Sequence, residues 1–430
     1  MSQPPHPFRI HNFRAYWVSR LCMTLAQYGM LLIIGWQTYN IARDSGLSVA
    51  ASSGQLALIG LLQFLPLFIL TPFSGLAADM FNRRTVARLT VALQMACAAL
   101  LAWLTWSDQI THTGLFGVAI LLGIARAFAG PALSALAPNL VPKASLPQAI
   151  ALSSIAWQTG MIAGPAMGGY FYAWVPALPY AASFGLFAIS LAALTTIGDV
   201  PRSVTQAARR PIGQILDGLQ YVVRNKMVLG AITLDLFAVF LAGATALFPV
   251  YARDILEVGE QGLAQLAMAP AIGAVITAAF FSFFPIRTRV GPKMLVAVAV
   301  FGVATIIFGM STYMPLSLVM LFIVGAADMF SVYIRQSLIQ LHTPDDKRGR
   351  VSSVSMMTIS ASNEFGDFFS GTLAYFIGPV LAVVLGGAGA IITVAVWSQL
   401  FPVLRTTRTF DPPEEFLDSD QERLSSGEKR

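Results

Sequence analysis

A succession of about twelve apolar runs, most of them about 20 residues or longer, leaves this chain few folds to choose from. The runs fall near 15–40, 54–78, 86–106, 113–137, 147–174, 177–197, 229–251, 262–285, 294–312, 316–341, 352–377 and 379–401. Read as helix, each reaches across a hydrocarbon core of about 30 Å. Lipid offers no partner to backbone N–H and C=O groups, so a span must satisfy them internally. The runs do not alternate polar and apolar residues over about 10 positions, as a membrane barrel would require. Composition agrees, with 56% hydrophobic and 11% charged residues, against about 25% charged in a soluble domain. The expected fold class is an all-α integral membrane protein with twelve transmembrane helices.

Lys and Arg are unevenly placed. One set of loops holds Arg9 and Arg14, then Arg83, Arg84 and Arg88, then Lys143. It continues with Arg202, Arg209, Arg210, Arg224 and Lys226, with Arg287, Arg289 and Lys293, and with Lys347, Arg348 and Arg350. The opposite loops hold Arg43 and Arg253. The positive-inside rule then predicts a multi-pass membrane protein with both termini in the cytoplasm; the expected location is a bacterial cytoplasmic (inner) membrane. The net charge of +6 is this bias, and no nucleic-acid partner is expected. Met1 to His11 lacks the basic–apolar–small order of a cleavable signal, so the first span is expected to act as an uncleaved anchor.

The longest internal loop divides the spans six and six. The expected domains are an N-terminal segment 1–14, a first six-helix bundle 15–197, a linker 198–228, a second bundle 229–402 and a disordered acidic tail 403–430. In the linker, Ile212, Ile215, Leu216, Leu219, Val222 and Val223 share one helical face flanked by Arg and Lys, which predicts a helix on the membrane surface. The halves also repeat. Ala42-Arg43-Asp44 recurs as Ala252-Arg253-Asp254, and Gly123, Arg126, Pro142, Gly164 and Gly169 recur at constant offset as Gly325, Asp328, Pro344, Gly366 and Gly371. Duplicated halves place a binding site at their interface near the bilayer midplane.

Seven ionisable residues interrupt the apolar runs: Arg20, Arg126, Asp235, Asp328, Arg335, Glu364 and Asp367. A charge at mid-bilayer costs roughly 2.5–3.5 kcal/mol even on insertion scales, so these residues must face protein or a wet cavity. Arg126 and Asp328 stand at symmetry-related positions with opposite sign, and an opposed pair across a shared cavity is expected. Asp328 and Arg335 lie two turns apart on one face, and Glu364 and Asp367 are adjacent on another helix. Two such acids resist joint ionisation, which makes them candidates to carry a proton. A structural network with Arg335, locking spans ten and eleven together, is the alternative.

The four histidines sit at or beyond span ends, and Cys22 and Cys97 have no metal-type spacing. No GxxxxGK[ST] loop is present. No metal, cofactor, nucleotide or catalytic centre is expected.

Several motifs point to a family. Gly75-Leu-Ala-Ala-Asp79-Met-Phe-Asn82-Arg83-Arg84 resembles the loop between helices two and three of the major facilitator superfamily, with Met80 and Asn82 departing from the usual basic residue and glycine. Gly160-Met-Ile-Ala-Gly164-Pro165-Ala-Met-Gly168-Gly169 is similar to the glycine–proline motif of its exporters. Arg126 stands where the family carries a helix-four arginine implicated in proton coupling. Thr343 to Val351, with Arg348, Gly349 and Arg350, and Ser362 to Gly371 resemble the enterobactin-exporter-like (transmembrane secretion effector) branch, as do Trp36 to Tyr39 and Pro249 to Asp254.

The resemblance implies the major facilitator fold, two pseudo-symmetric six-helix bundles whose spans one, four, seven and ten line a cavity. It implies export of a small amphipathic molecule, a siderophore or a drug, by alternating access and proton antiport. A monomer in contact with membrane lipids is expected. Gln27, Tyr28, Gln37, Tyr39 and Tyr333 would then be substrate-cavity residues, and the three motif regions would be gates. Two other readings compete: a lysophospholipid flippase of the same fold, and an intramembrane lipid-modifying enzyme built on Glu364 and Asp367.

Overall fold

The computed structural model describes residues 6–80, 82–198 and 211–410. Long apolar sequence gives long helices, even across interior prolines such as Pro131 and Pro165: α1 (His11–Asp44), α2 (Val49–Met80), α3 (Arg83–Trp106), α4 (His112–Leu136), α5 (Leu146–Trp174) and α6 (Leu178–Thr196). After the linker helix α7 (Pro211–Arg224) come α8 (Lys226–Leu241), α9 (Gly259–Phe283), α10 (Val290–Met310), α11 (Met314–Leu341), α12 (Asp345–Ile377), α13 (Pro379–Leu400) and the short α14 (Pro402–Thr406). Polar caps begin several of them. Thr111 accepts from Gly114 N, and Asn225 accepts from Met227 N and Val228 N. At the departure from the family loop, Asn82 is extended (φ −67°) and caps α3 through Arg84 N, so the left-handed turn that glycine would serve is not formed.

Among the described residues ten helices are long and apolar enough to cross a membrane, with the seventh span running from Lys226 to Ile255. The two remaining long helices, α5 and α12, have the length but a more polar make-up. They lie between the two halves, where less of their surface has to meet lipid.

Helix α1 packs on α5 and α6, α2 on α4, and α3 on α4 and α6. The second half repeats this plan, with α9 on α11, α10 on α11 and α13, and α8 on α12 and α13. The halves meet along two seams, α2 with α12 and α5 with α9. Close approach in the first half depends on one glycine stripe. A Cβ on Gly160 would lie 2.5 Å from Thr24 Cβ, on Gly164 2.7 Å from the Leu25 carbonyl, and on Gly168 2.7 Å from the Gly29 carbonyl. Only glycine lets α5 sit this close to α1.

The linker helix departs from expectation. Val222 is buried with Val228, Ile232, Ile339, Val351 and Val354, so part of the apolar face docks on α8, α11 and α12 instead of lipid. Tyr221 OH donates to the His342 carbonyl at 2.8 Å, and Lys347 Nζ lies 5.1 Å from the Tyr221 ring. Leu219 and Val223 remain exposed. The side chains of Ile212, Ile215 and Leu216, and the acidic tail from Asp411, lie outside the described residues.

Candidate functional site

The face away from the termini is shut by the repeated Ala-Arg-Asp motif. Arg43 at the end of α1 pairs with Asp254 at 2.9 Å, and Arg253 pairs with Asp44 at 2.5 Å. Each arginine therefore reaches the aspartate of the other half. Arg253 also donates to Asn40 Oδ1 at 2.6 Å, and Tyr39 OH donates to Asp254. A π-helical turn over Tyr251–Ile255 positions Arg253 and Asp254. The repeat is plain in the sequence, whereas its pairing across the halves is not.

The seams close on the same side. A Cβ on Gly54 would touch the Tyr375 ring at 3.0 Å, and one on Gly371 would lie 2.9 Å from Ala57 N. Phe64 meets Phe365 edge to face at 5.5 Å. Across the second seam, a Cβ on Gly169 would lie 2.5 Å from Ala264 Cβ.

Near mid-membrane one ion pair spans the halves. Arg126 Nη2 of α4 lies 2.5 Å from Glu364 Oε1 of α12. Tyr28 and Arg20, two turns apart on α1, complete the cluster within electrostatic reach. Arg20 Nε and Arg126 Nη1 are buried without a hydrogen-bond partner among the described residues.

Asp328 does not face Arg126. It lines a small cavity inside the second half with Asp235, Ala238, Val298, Phe301 and Ser331. Asp235 is paired with Arg335, and both are buried. The repeat does equate the depths of Arg126 and Asp328, each 14 residues into its helix. Side-chain length separates them. A guanidinium on a long stem extends across to the other half, whereas a short carboxylate stays against its own neighbours. The Arg335 network accordingly ties α11 to α8, not to α12.

Asp367 has separate work. The seventh span breaks after Leu241 and resumes at Thr245–Leu247. Thr245 Oγ1 donates to Asp367 at 2.7 Å, and the Ala246 backbone N–H reaches the same carboxylate. Irregular backbone at membrane depth needs such partners. Glu364 and Asp367 are therefore turned to different helices, and among the described residues no group of three or more His, Cys, Asp or Glu could hold a metal.

The other expected cavity residues divide. Tyr39 is 0% exposed and belongs to the clamp. Gln37 is 3% exposed and lies inside the first half, accepting from Tyr180 OH at 2.7 Å and donating to Thr105. Both positions read as lining because they are polar within a lining span, but the helical phase turns them inward. Gln27 and Tyr28 are part-exposed. Tyr333 lines a hollow of about 360 Å³ between α9 and α11.

Among the motif residues, Arg84 donates to the Gly198 carbonyl and Arg348 to Gln340 O at 3.0 Å, and beside the first motif Arg88 donates to Leu194 O at 2.9 Å, each holding the end of a neighbouring helix. Arg350 meets Asp217 at 3.5 Å, both largely exposed. Gly75 lies in α2 and Pro165 inside α5, while the side chain of Asp79 lies outside those described.

The chain matches the family model described as transmembrane secretion effector over residues 2–420. It is 28% identical over 392 residues to the multidrug efflux pump Tap of Mycobacterium tuberculosis, covering 84% of this chain and 93% of the pump. It is 23% identical over 423 residues to the enterobactin exporter EntS of Escherichia coli O1:K1, covering 96% of each. Among solved structures, a D-xylose–proton symporter aligns with TM-score 0.71 at 13% identity, covering 91% of this chain and 98% of that one. A bacterial homologue of the lysosomal transporter Spinster aligns with TM-score 0.69 at 15% identity, covering 92% and 99%. These relatives are transporters and not enzymes. The chain belongs to the transmembrane secretion effector family, an efflux branch of the major facilitator superfamily.

Proposed function

We propose that this protein exports a small amphipathic molecule across the bacterial cytoplasmic membrane by alternating access, driven by proton antiport. The termini lie in the cytoplasm, and the protein works as a monomer in contact with lipid. The observation that carries the reading is the crossed set of ion pairs between the halves. The halves are joined by paired charges on the face away from the termini, while the hollow between α9 and α11 lies toward the face that bears them. In this reading the carrier loads from the cytoplasmic side, where the hollow lies.

Glu364 is the coupling group in this reading, because its ion pair crosses between the halves. Opening outward withdraws Arg126, and the carboxylate left behind takes a proton from the exterior. Closing the outer face re-forms the pair and expels the proton inward. Arg126 thereby links proton occupancy to conformation, as a bistable element must. The Arg335–Asp235 pair keeps the second half rigid while this happens.

The test is uptake into everted vesicles carrying an acid-inside gradient. Radiolabelled chloramphenicol, tetraphenylphosphonium and enterobactin serve as probes, with and without a protonophore. Gradient-dependent uptake of at least one probe, lost in Glu364→Gln, supports the reading. Uptake that ignores both the gradient and Glu364→Gln overturns proton antiport.

A further inference from the structure

We propose that the hollow between α9 and α11 is the substrate-loading site, and that it selects uncharged molecules with an aromatic or apolar face and one hydrogen-bonding edge. This deepens the exporter reading and rests on it for the direction of transport.

The hollow measures about 360 Å³, within the range of small-molecule sites. Its apolar wall is Phe281, Met329 and Tyr333. Phe281 stacks on Tyr333 with ring centroids 4.7 Å apart, and the pair is braced by Phe330 and by Phe410 from the C-terminal segment. The opposite edge carries Gln336 and Gln340. No protein hydrogen bond from either amide side chain appears among the described residues, so both can donate to and accept from a guest.

Among the described residues no ionisable side chain lines the hollow apart from the Tyr333 phenol. The charges of this half are turned elsewhere by helical phase. Asp328 and Arg335 lie toward α8, whereas Met329, Tyr333, Gln336 and Gln340 follow the neighbouring stripe of α11. An ion entering a site without a counter-charge pays its desolvation uncompensated, while an uncharged guest does not.

Helical phase also puts the hollow on the side of α9 that meets the first half. Ala264 of α9 is the residue that meets Gly169 of α5. Ser282 lies about five full helical turns further along the same stripe, and it lines the hollow. The surface of α9 that seals against α5 near one face therefore opens into the hollow near the other. Gln340, exposed at the end of α11, stands at its mouth.

The experiment combines binding with transport. Cys22 and Cys97 are both buried, so Ser282→Cys in a Cys22→Ser, Cys97→Ser background gives one reporter thiol. Its alkylation by N-ethylmaleimide is timed with chloramphenicol (uncharged), tetraphenylphosphonium (cationic) or salicylate (anionic). Chloramphenicol should slow alkylation at least fivefold, with the ions doing so at least tenfold less effectively. In proteoliposomes of the otherwise native chain, Gln336→Leu should raise KM for chloramphenicol at least fivefold with kcat within twofold, and Gln336→Glu should shift preference toward tetraphenylphosphonium.

Protection without any transport keeps the site and sinks the exporter reading instead. Transport of chloramphenicol with no protection, or with KM unchanged in both Gln336→Leu and Tyr333→Phe, overturns the site. Stronger protection by either ion overturns the assigned class, and so does absence of both transport and protection.

Discussion

Arg43 and Asp254 come from the two copies of one repeated tripeptide, and the pair is answered by Arg253 and Asp44 in the reverse sense. A pseudo-two-fold relation makes this reciprocity automatic. Residues at equivalent places near the symmetry axis face each other, so an acid next to a base in each half gives two crossed pairs. Asp254 gains most, since Arg43 and Tyr39 both donate to it. The clamp is partly exposed, so each pair contributes on the order of 1 kcal/mol. That magnitude suits a contact that must break in every transport cycle.

Charge reversal tests the clamp. Arg43→Asp or Asp254→Arg alone should lower the export rate about fivefold to tenfold, the scale of 1–1.4 kcal/mol. Joining the two substitutions should recover at least half of the loss. Cysteines at 43 and 254 should cross-link readily in the loaded-from-inside state, and the bridge should stop transport. A double reversal no better than either single variant would remove the pairing from the mechanism.

The glycine stripe of α5 has no room for side chains. Gly168→Val should place atoms against the Gly29 carbonyl and force α5 away from α1, at a cost of about 1–3 kcal/mol. Thermal unfolding in detergent should shift down by several degrees. Gly185→Ala, where a Cβ meets nothing within 4 Å, is the control and should leave the melting temperature unchanged.

Arg335 and Asp235 are both buried, so removing one leaves the other charge unpaired. Asp235→Asn should destabilise by about 3–5 kcal/mol. Replacing both, as Asp235→Asn with Arg335→Gln, should be milder than the single change, because no lone ion remains. Melting temperatures of the three variants give the ordering directly.

His342 sits just past α11, buried, with Nδ1 3.0 Å from the Leu338 carbonyl. Burial disfavours the imidazolium and pushes its pKa below the usual histidine value, with the Leu338 carbonyl opposing. In the unfolded chain the ring protonates near pH 6.5, before it does in the fold. Stability from this group is therefore full above that pH. It falls as the pH drops from the ordinary value to the lowered one, and then levels off. Melting temperatures between pH 8 and pH 5 should show this fall in the native chain and a shallower one in His342→Asn.

The span pattern, the two-half organisation and the family were all legible in the residues, because membrane insertion reads length and apolarity directly. The Arg43–Asp44 and Arg253–Asp254 repeat was equally plain, but its purpose appeared only when the ends of α1 and the seventh span were side by side. Position along each helix was also readable, and Arg126 and Asp328 stand equally far into α4 and α11. Their partners were not. Arg126 turned to Glu364, Asp328 stayed with Asp235, and Tyr39 and Gln37 were taken up inside the protein. Linear order determines how far along a helix a side chain lies. Which neighbour it meets depends on helix rotation, side-chain reach and the packing of segments hundreds of residues apart, and these exist only in the folded chain.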